Sequence, residues 1–117
     1  MFLVDTSVWV DHLRHGDPQL AQALVDDQVY IHPFVLGELA CGNLPKRSSI
    51  LSDLGQLPKA KSAEDGEVLN FLEQHHLFGR GIGWIDAHLL ASAALTRCHL
   101  WTLDSRLAEA ALKLKLR

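Results

Sequence analysis

The sequence predicts an α/β fold: a three-layer α/β/α domain around a small, mostly parallel central sheet. Three observations predict it. Short apolar β-type runs alternate with amphipathic helical stretches. Neither internal repeats nor linker-like segments interrupt that alternation. A length of 117 residues with 48% hydrophobic content suits one compact domain, residues 1–117, that buries its own core without disulfides or a structural metal.

Met1 to Val4 is an apolar run that meets the polar Asp5-Thr6-Ser7, as a buried strand does where it hands over to a helix. Val8 to Arg14 supply one or two helical turns. Gly16-Asp17-Pro18 then punctuates the chain, and Pro18 suits the first turn of a second helix running to about Asp27, with Leu20, Leu24, Ala23 and Val25 as its apolar stripe. Val29-Tyr30-Ile31 is a second β-type run, closed by His32-Pro33. From Phe34 the spacing of Val35, Leu36, Leu39 and Ala40 is helical up to Cys41-Gly42-Asn43.

Pro45 to about Leu57 reads as a further helix, and Pro58 to Ala63 carries a weak strand signal. Glu64 to His76 is amphipathic through Val68, Leu69, Phe71 and Leu72. Gly79, Gly81 and Gly83 form a flexible approach to a helix from Trp84 to Thr96, whose small residues Ala87, Ala91, Ser92, Ala93 and Ala94 allow close packing and a central position. His99 to Leu103 is a third clear strand, and Asp104-Ser105 starts a helix faced by Leu107, Ala110, Ala111 and Leu114. Leu112 to Leu116 alternate with period two, which fits either the end of that helix or a last strand.

Composition also excludes function classes. Eleven Lys and Arg against 14 Asp and Glu give a net charge of −3, so nucleic acid held by phosphate neutralisation alone is not expected. Cys41 and Cys98 stand alone, which disfavours a disulfide framework or zinc ribbon and suits a reducing cytoplasm. No apolar run approaches the roughly 20 residues of a membrane span, so a soluble protein without membrane association is expected.

In a parallel α/β sheet, ligands gather at the carboxyl ends of the strands. Asp5 follows the first strand directly, Asp104 follows the strand containing Trp101 and Thr102, and Asp86 lies in the first turn of the small-residue helix. Glu38 sits one turn into the helix after the second strand and leans toward the same edge. Taken singly, each aspartate is explained as a helix cap and Glu38 as a solvated helix residue. Taken together, four like charges converging on one edge, with no flanking excess of Lys or Arg, repel one another, and a bound cation resolves the conflict. An all-oxygen ligand set favours a hard ion, Mg²⁺ or Mn²⁺, over zinc. His12, His15, His75, His76 and His88 lack metal-motif spacing and are read as ordinary surface or core residues.

Val4-Asp5-Thr6-Ser7, Leu36-Gly37-Glu38-Leu39, Gly83-Trp84-Ile85-Asp86-Ala87 and Trp101-Thr102-Leu103-Asp104 together resemble the four-acid pattern of PIN-domain nucleases. The similarity is greatest to the VapC toxins of bacterial toxin–antitoxin systems and extends from residue 4 to about 107. It implies a PIN-like domain and a Mg²⁺- or Mn²⁺-dependent endoribonuclease that leaves a 5′-phosphate and a 3′-hydroxyl. Asp5, Asp86 and Asp104 are then the direct metal ligands, and Glu38 acts through water or a second ion. On that reading Ser7 and Thr102 hydrogen-bond a ligand carboxylate or a metal-held water. The resemblance further implies a homodimer and a small VapB-like antitoxin, encoded just upstream, that covers or enters the acidic cleft.

Arg14, Lys46, Arg47, Arg80 and Arg106 are candidates for gripping RNA, with Arg14, Arg80 and Arg106 preferred. Trp9, Trp84 and Trp101 are candidates for base stacking, although Trp101, inside a strand, is better read as packing. Two other classes compete. A receiver-type phosphoacceptor switch requires paired acids after the first strand and a lysine near the last, and here Thr6-Ser7 follows Asp5 and no Lys follows Thr102. An inactive RNA-binding domain is disfavoured by the presence of all four acids.

Overall fold

A computed structural model describes every residue from Met1 to Arg117. Three strands, β1 (Phe2–Val4), β2 (Val29–Tyr30) and β3 (His99–Trp101), form a parallel sheet in the order β2-β1-β3. In register, Phe2 lies opposite Val29 on one side and His99 on the other, and Val4 lies opposite Trp101. The central strand is covered on both faces: Leu3 and Val4 are fully buried, which is why Met1 to Val4 reads as a continuous apolar run instead of an alternating one. The sheet gains one further parallel bridge, Ile31 with Lys59, where Ile31 N–H donates to Pro58 O and Ala60 N–H to Ile31 O. That bridge is all that forms of the weak strand signal at Pro58 to Ala63.

Seven helices complete the three layers: α1 (Thr6–His15), α2 (Pro18–Val25), α3 (Pro33–Cys41), α4 (Arg47–Gly55), α5 (Asp65–Gln74), α6 (Trp84–Thr96) and α7 (Ser105–Lys113). Local chemistry explains their starts. The Asp17 carboxylate accepts from Gln19 and Leu20 N–H at the head of α2, with Pro18 in the first turn. His32 caps α3 by accepting from Phe34 N–H through Nδ1. In α6 every residue from Ala87 to Ala93 is buried, so this helix is central as its small residues predict. It packs on α5 and β3, while α1 packs on α3 and α3 on α4.

One open alternative is decided and several expectations are corrected. Leu112 to Leu116 form no strand: α7 runs to Lys113, the chain turns, and a single backbone bond from Leu100 N–H to Leu116 O ties the tail to β3. Val25 is 76% exposed and Leu69 57% exposed, because the buried stripes of α2 and α5 are narrower than their apolar content. The strand expected over His99 to Leu103 ends at Trp101, where the Thr102 hydroxyl and the Leu103 N–H turn to Ser7 while the Leu103 side chain stays exposed. No helix is long and apolar enough to cross a membrane.

Candidate active site

The carboxyl ends of β1 and β3 and the first turns of α6 and α7 meet at one edge of the sheet. Asp5 leaves β1 with its N–H still in the ladder, donating to Trp101 O at 2.9 Å. It occupies the N-cap position of α1, yet its side chain does not cap that helix. Instead Oδ2 accepts from both Ser7 Oγ and Thr102 Oγ1, each at 2.8 Å. Thr102 Oγ1 in turn accepts from Asp104 N–H at 3.0 Å, and Ser7 Oγ accepts from Leu103 N–H at 3.0 Å. Two hydroxyls thus stitch the end of β1 to the turn after β3.

The other three acids are anchored in the same way, by one oxygen each. Asp86 Oδ2 accepts from Gly83 N–H at 3.0 Å, Asp104 Oδ1 accepts from Leu107 N–H at 2.9 Å, and Glu38 Oε1 accepts from Thr6 Oγ1 at 2.7 Å. Asp5 Oδ1, Glu38 Oε2, Asp86 Oδ1 and Asp104 Oδ2 make no hydrogen bond within the protein. No Lys or Arg lies within ion-pair distance of any of the four; the single close contact of a basic nitrogen with a carboxylate in the molecule is His88 Nε2 to Asp65 Oδ1, at 3.2 Å and out of line for a hydrogen bond.

The electrostatics register the convergence. The Asp86 carboxyl is pushed above the ordinary aspartate value, first by burial and then by the negative charges of Asp5, Asp104 and Glu38; the Gly83 N–H pulls the other way. Helix geometry offsets part of the repulsion, because Asp86 lies in the first turn of α6 and Asp104 at the N-cap of α7, where the positive ends of the helix dipoles face the cleft.

No three acids or histidines close around a single point tightly enough to enclose an ion by themselves. An open set of free carboxylate oxygens still fits Mg²⁺ or Mn²⁺: such ions keep several waters and are held by one or two carboxylates together with substrate phosphate oxygens. Zinc is a poor fit, since no histidine or cysteine joins the cluster. Asp5 is buried, Asp86 half-buried, and Glu38 and Asp104 exposed, so the cleft grades from a buried floor to an exposed rim.

Of the residues expected to grip RNA, Arg14 shares a hollow of about 140 Å³ with Thr6 and Glu38. Arg80 and Arg106 share a second hollow, of about 180 Å³, with Glu109 and Ala110. Arg47 is occupied by the Ala40 carbonyl through Nε and Nη2. Lys46 lines neither hollow and has a left-handed conformation before α4. Among the tryptophans, Trp9 is a correction: it is 2% exposed, with its indole nitrogen buried and unpaired, and belongs to the core. Trp101 packs edge-on against Phe2, and Trp84 remains exposed two residues from Asp86.

Sequence reasoning missed Thr6. Its hydroxyl restrains Glu38 across 32 positions of sequence, and its only local signal is that it sits between Asp5 and Ser7. It also missed His32, buried to 1% exposure with Nε2 unpaired and held neutral, its pKa lowered to about 4 by burial and by His88.

Comparison with known proteins gives a consistent result. The family profile of the PIN domain matches residues 2–113. The chain is 44% identical over 111 residues to Ribonuclease VapC32 of Mycobacterium tuberculosis, in both the CDC 1551 and H37Rv strains, with 94% of this chain and 90% of the relative covered. No solved structure matches significantly.

Proposed function

The chain belongs to the PIN-domain family, and from that premise we propose that it is the toxin of a bacterial toxin–antitoxin pair, an endoribonuclease that hydrolyses RNA phosphodiester bonds with Mg²⁺ or Mn²⁺ held by Asp5, Asp86, Asp104 and Glu38. One domain, residues 1–117, carries the activity. The observation that supports this reading best is that four carboxylates share one cleft, each with one anchored and one free oxygen, and with no cation of the chain to neutralise them.

The roles of the residues follow from their bonds. Ser7 and Thr102 fix the orientation of Asp5, so that its remaining oxygen faces the cleft without rotamer search. Thr6 restrains the longer Glu38 side chain. The first turns of α6 and α7 hold Asp86 and Asp104 and lessen their mutual repulsion. A divalent cation, when bound, supplies Lewis acidity that makes water a better nucleophile and offsets charge on the phosphate. Arg14, beside Glu38, and Arg80 with Arg106 supply the positive charge that an acidic chain needs beside an anionic polymer, and exposed Trp84 offers a face for an unstacked base.

The same reading includes a homodimer, a cytoplasmic setting and a small VapB-like antitoxin as the partner that covers the cleft. Incubating the purified chain with mixed cellular RNA, with and without EDTA, and mapping the cut ends tests the chemistry. Discrete 5′-phosphate ends are expected only without EDTA; cleavage unaffected by EDTA, or none with either metal, overturns it.

A further inference from the structure

Beside the acidic cleft, on the flank formed by the loop before α6 and the first turns of α7, the geometry points to a seat for a second, non-scissile phosphate of the RNA, built from Arg80 and Arg106 and shaped by Gly81. The inference rests on the RNA-cleaving reading above and adds where the strand lies.

Three features make the seat. Arg80 donates through Nε to His76 O at 2.8 Å, which fixes its guanidinium and leaves both terminal nitrogens unengaged. Arg106, in the first turn of α7, lays its side chain directly over Gly81: a Cβ built there would stand 2.6 Å from Arg106 Nη1 and 2.7 Å from Cδ. Gly81 also has φ +77, a conformation that favours glycine, and any Cβ there would displace the Arg106 side chain from its place above the loop. The two arginines then line one hollow of about 180 Å³. Glu109 shares its wall without coming within ion-pair distance of either.

Position relates the hollow to the cleft. Two residues after Gly81, Gly83 N–H holds Asp86; two residues before Arg106, Asp104 caps α7. The elements that deliver two of the acids therefore also deliver the guanidinium pair. Planar guanidinium groups bind phosphate through paired N–H donors, which lysine does not reproduce. Arg14, in the hollow that also holds Glu38, offers the strand a further cationic rest.

The test combines binding and cleavage on the full chain. A single-stranded oligoribonucleotide is titrated in EDTA over a range of salt, then cut in Mg²⁺ or Mn²⁺. Arg80→Ala and Arg106→Ala are each expected to weaken binding about tenfold and to reduce the slope of log affinity against log salt by about 0.7, the value for one phosphate contact on a single strand. KM should rise while kcat changes little. Replacing single linkages by neutral methylphosphonates should reveal one position, other than the cut, that weakens the wild type and leaves Arg106→Ala unaffected.

Gly81→Ala should reproduce the Arg106→Ala phenotype. Gly79→Ala should not, because Gly79 has a comparable φ of +72 and nothing within 4 Å, so it isolates backbone strain from the displaced guanidinium. Unchanged slopes in both arginine variants, or equal effects of Gly79→Ala and Gly81→Ala on binding, overturn the seat. RNA that binds with the full slope yet is never cut supports the seat and overturns the nuclease reading; RNA that is cut with unchanged slopes does the reverse.

Discussion

Replacing Asp5 separates its charge from its shape. The carboxylate accepts two hydrogen bonds at 2.8 Å on one oxygen and none on the other, and it lies 7% exposed among three other acids. Asp5→Ala removes the acceptor and strands the hydroxyls of Ser7 and Thr102. Hydrogen bonds to a charged group contribute about 1.5–3 kcal/mol each, and relief of repulsion offsets part of that, leaving a net loss of about 2–4 kcal/mol. For a chain of this length about 4 °C accompanies each kcal/mol, so Asp5→Ala should melt about 8–16 °C lower. Asp5→Asn keeps an acceptor oxygen for both hydroxyls and turns an NH₂ toward the other acids; it should melt within about 4 °C of the wild type, or above it. Cleavage by Asp5→Asn should fall by about two to three orders of magnitude, the scale on which loss of one charge-stabilising group registers. Thermal melts in EDTA and initial rates on one RNA substrate measure both. If Asp5→Asn melts as low as Asp5→Ala, the charge stabilises the fold and the repulsion argument fails; substantial retained cleavage removes Asp5 from the chemistry.

Other consequences can be measured on the same preparations. Mg²⁺ or Mn²⁺ should raise the melting temperature of the wild type, by about 2.7 kcal/mol of stability at a hundredfold excess over Kd, and should do so far less in Asp5→Asn; a flat response to millimolar metal argues against the site. Because the Asp86 pKa is raised on folding, the native state binds more protons than the unfolded chain above pH 3.8, so metal-free stability should fall as pH rises from there through the raised value. Asp86→Asn should lack that decline in pH-dependent melts, and an identical profile would refute the coupling. His32 acts with the opposite sign: its pKa falls from 6.5 to about 4 on folding, so stability present above 6.5 is lost as pH drops toward 4, by at most about 3 kcal/mol. His32→Asn, which retains an acceptor for Phe34 N–H, should flatten that window in urea titrations at pH 4 to 7, and an unaltered slope would assign it elsewhere.

Much of the fold was legible because local signals agreed with tertiary ones. Asp17-Pro18 caps and starts α2 as its chemistry dictates, and the small residues of α6 mark its buried position. The acids were legible because strand ends place them. Where the sequence misled, a face or a distant partner decided. Trp9 and Trp84 are the same residue type near the same edge, but α1 turns Trp9 into the core while Trp84 opens α6 at the surface. Leu112 to Leu116 satisfy both periods, and the turn after Lys113 settles what the alternation leaves open. The Thr6 to Glu38 bond and the fit of Arg106 over Gly81 join residues 32 and 25 positions apart, and neither spacing belongs to a local motif.

The four acids are not equivalent, and their supports explain why. Asp86 and Asp104 take N–H bonds and dipole stabilisation from helix starts, so their charges are partly offset by the backbone itself. Asp5 lies at a helix start but turns away from it and depends on two hydroxyls, whose positions depend in turn on backbone N–H groups of Leu103 and Asp104. Glu38 has no helix terminus; one hydroxyl, Thr6, restrains a side chain with one more rotatable bond, in the sixth position of α3. Burial and the number of tethers therefore both decrease from Asp5 to Glu38. On the proposed reading, the repulsion that lowers the stability of the metal-free fold is the same interaction that would give the cleft its affinity for divalent cations.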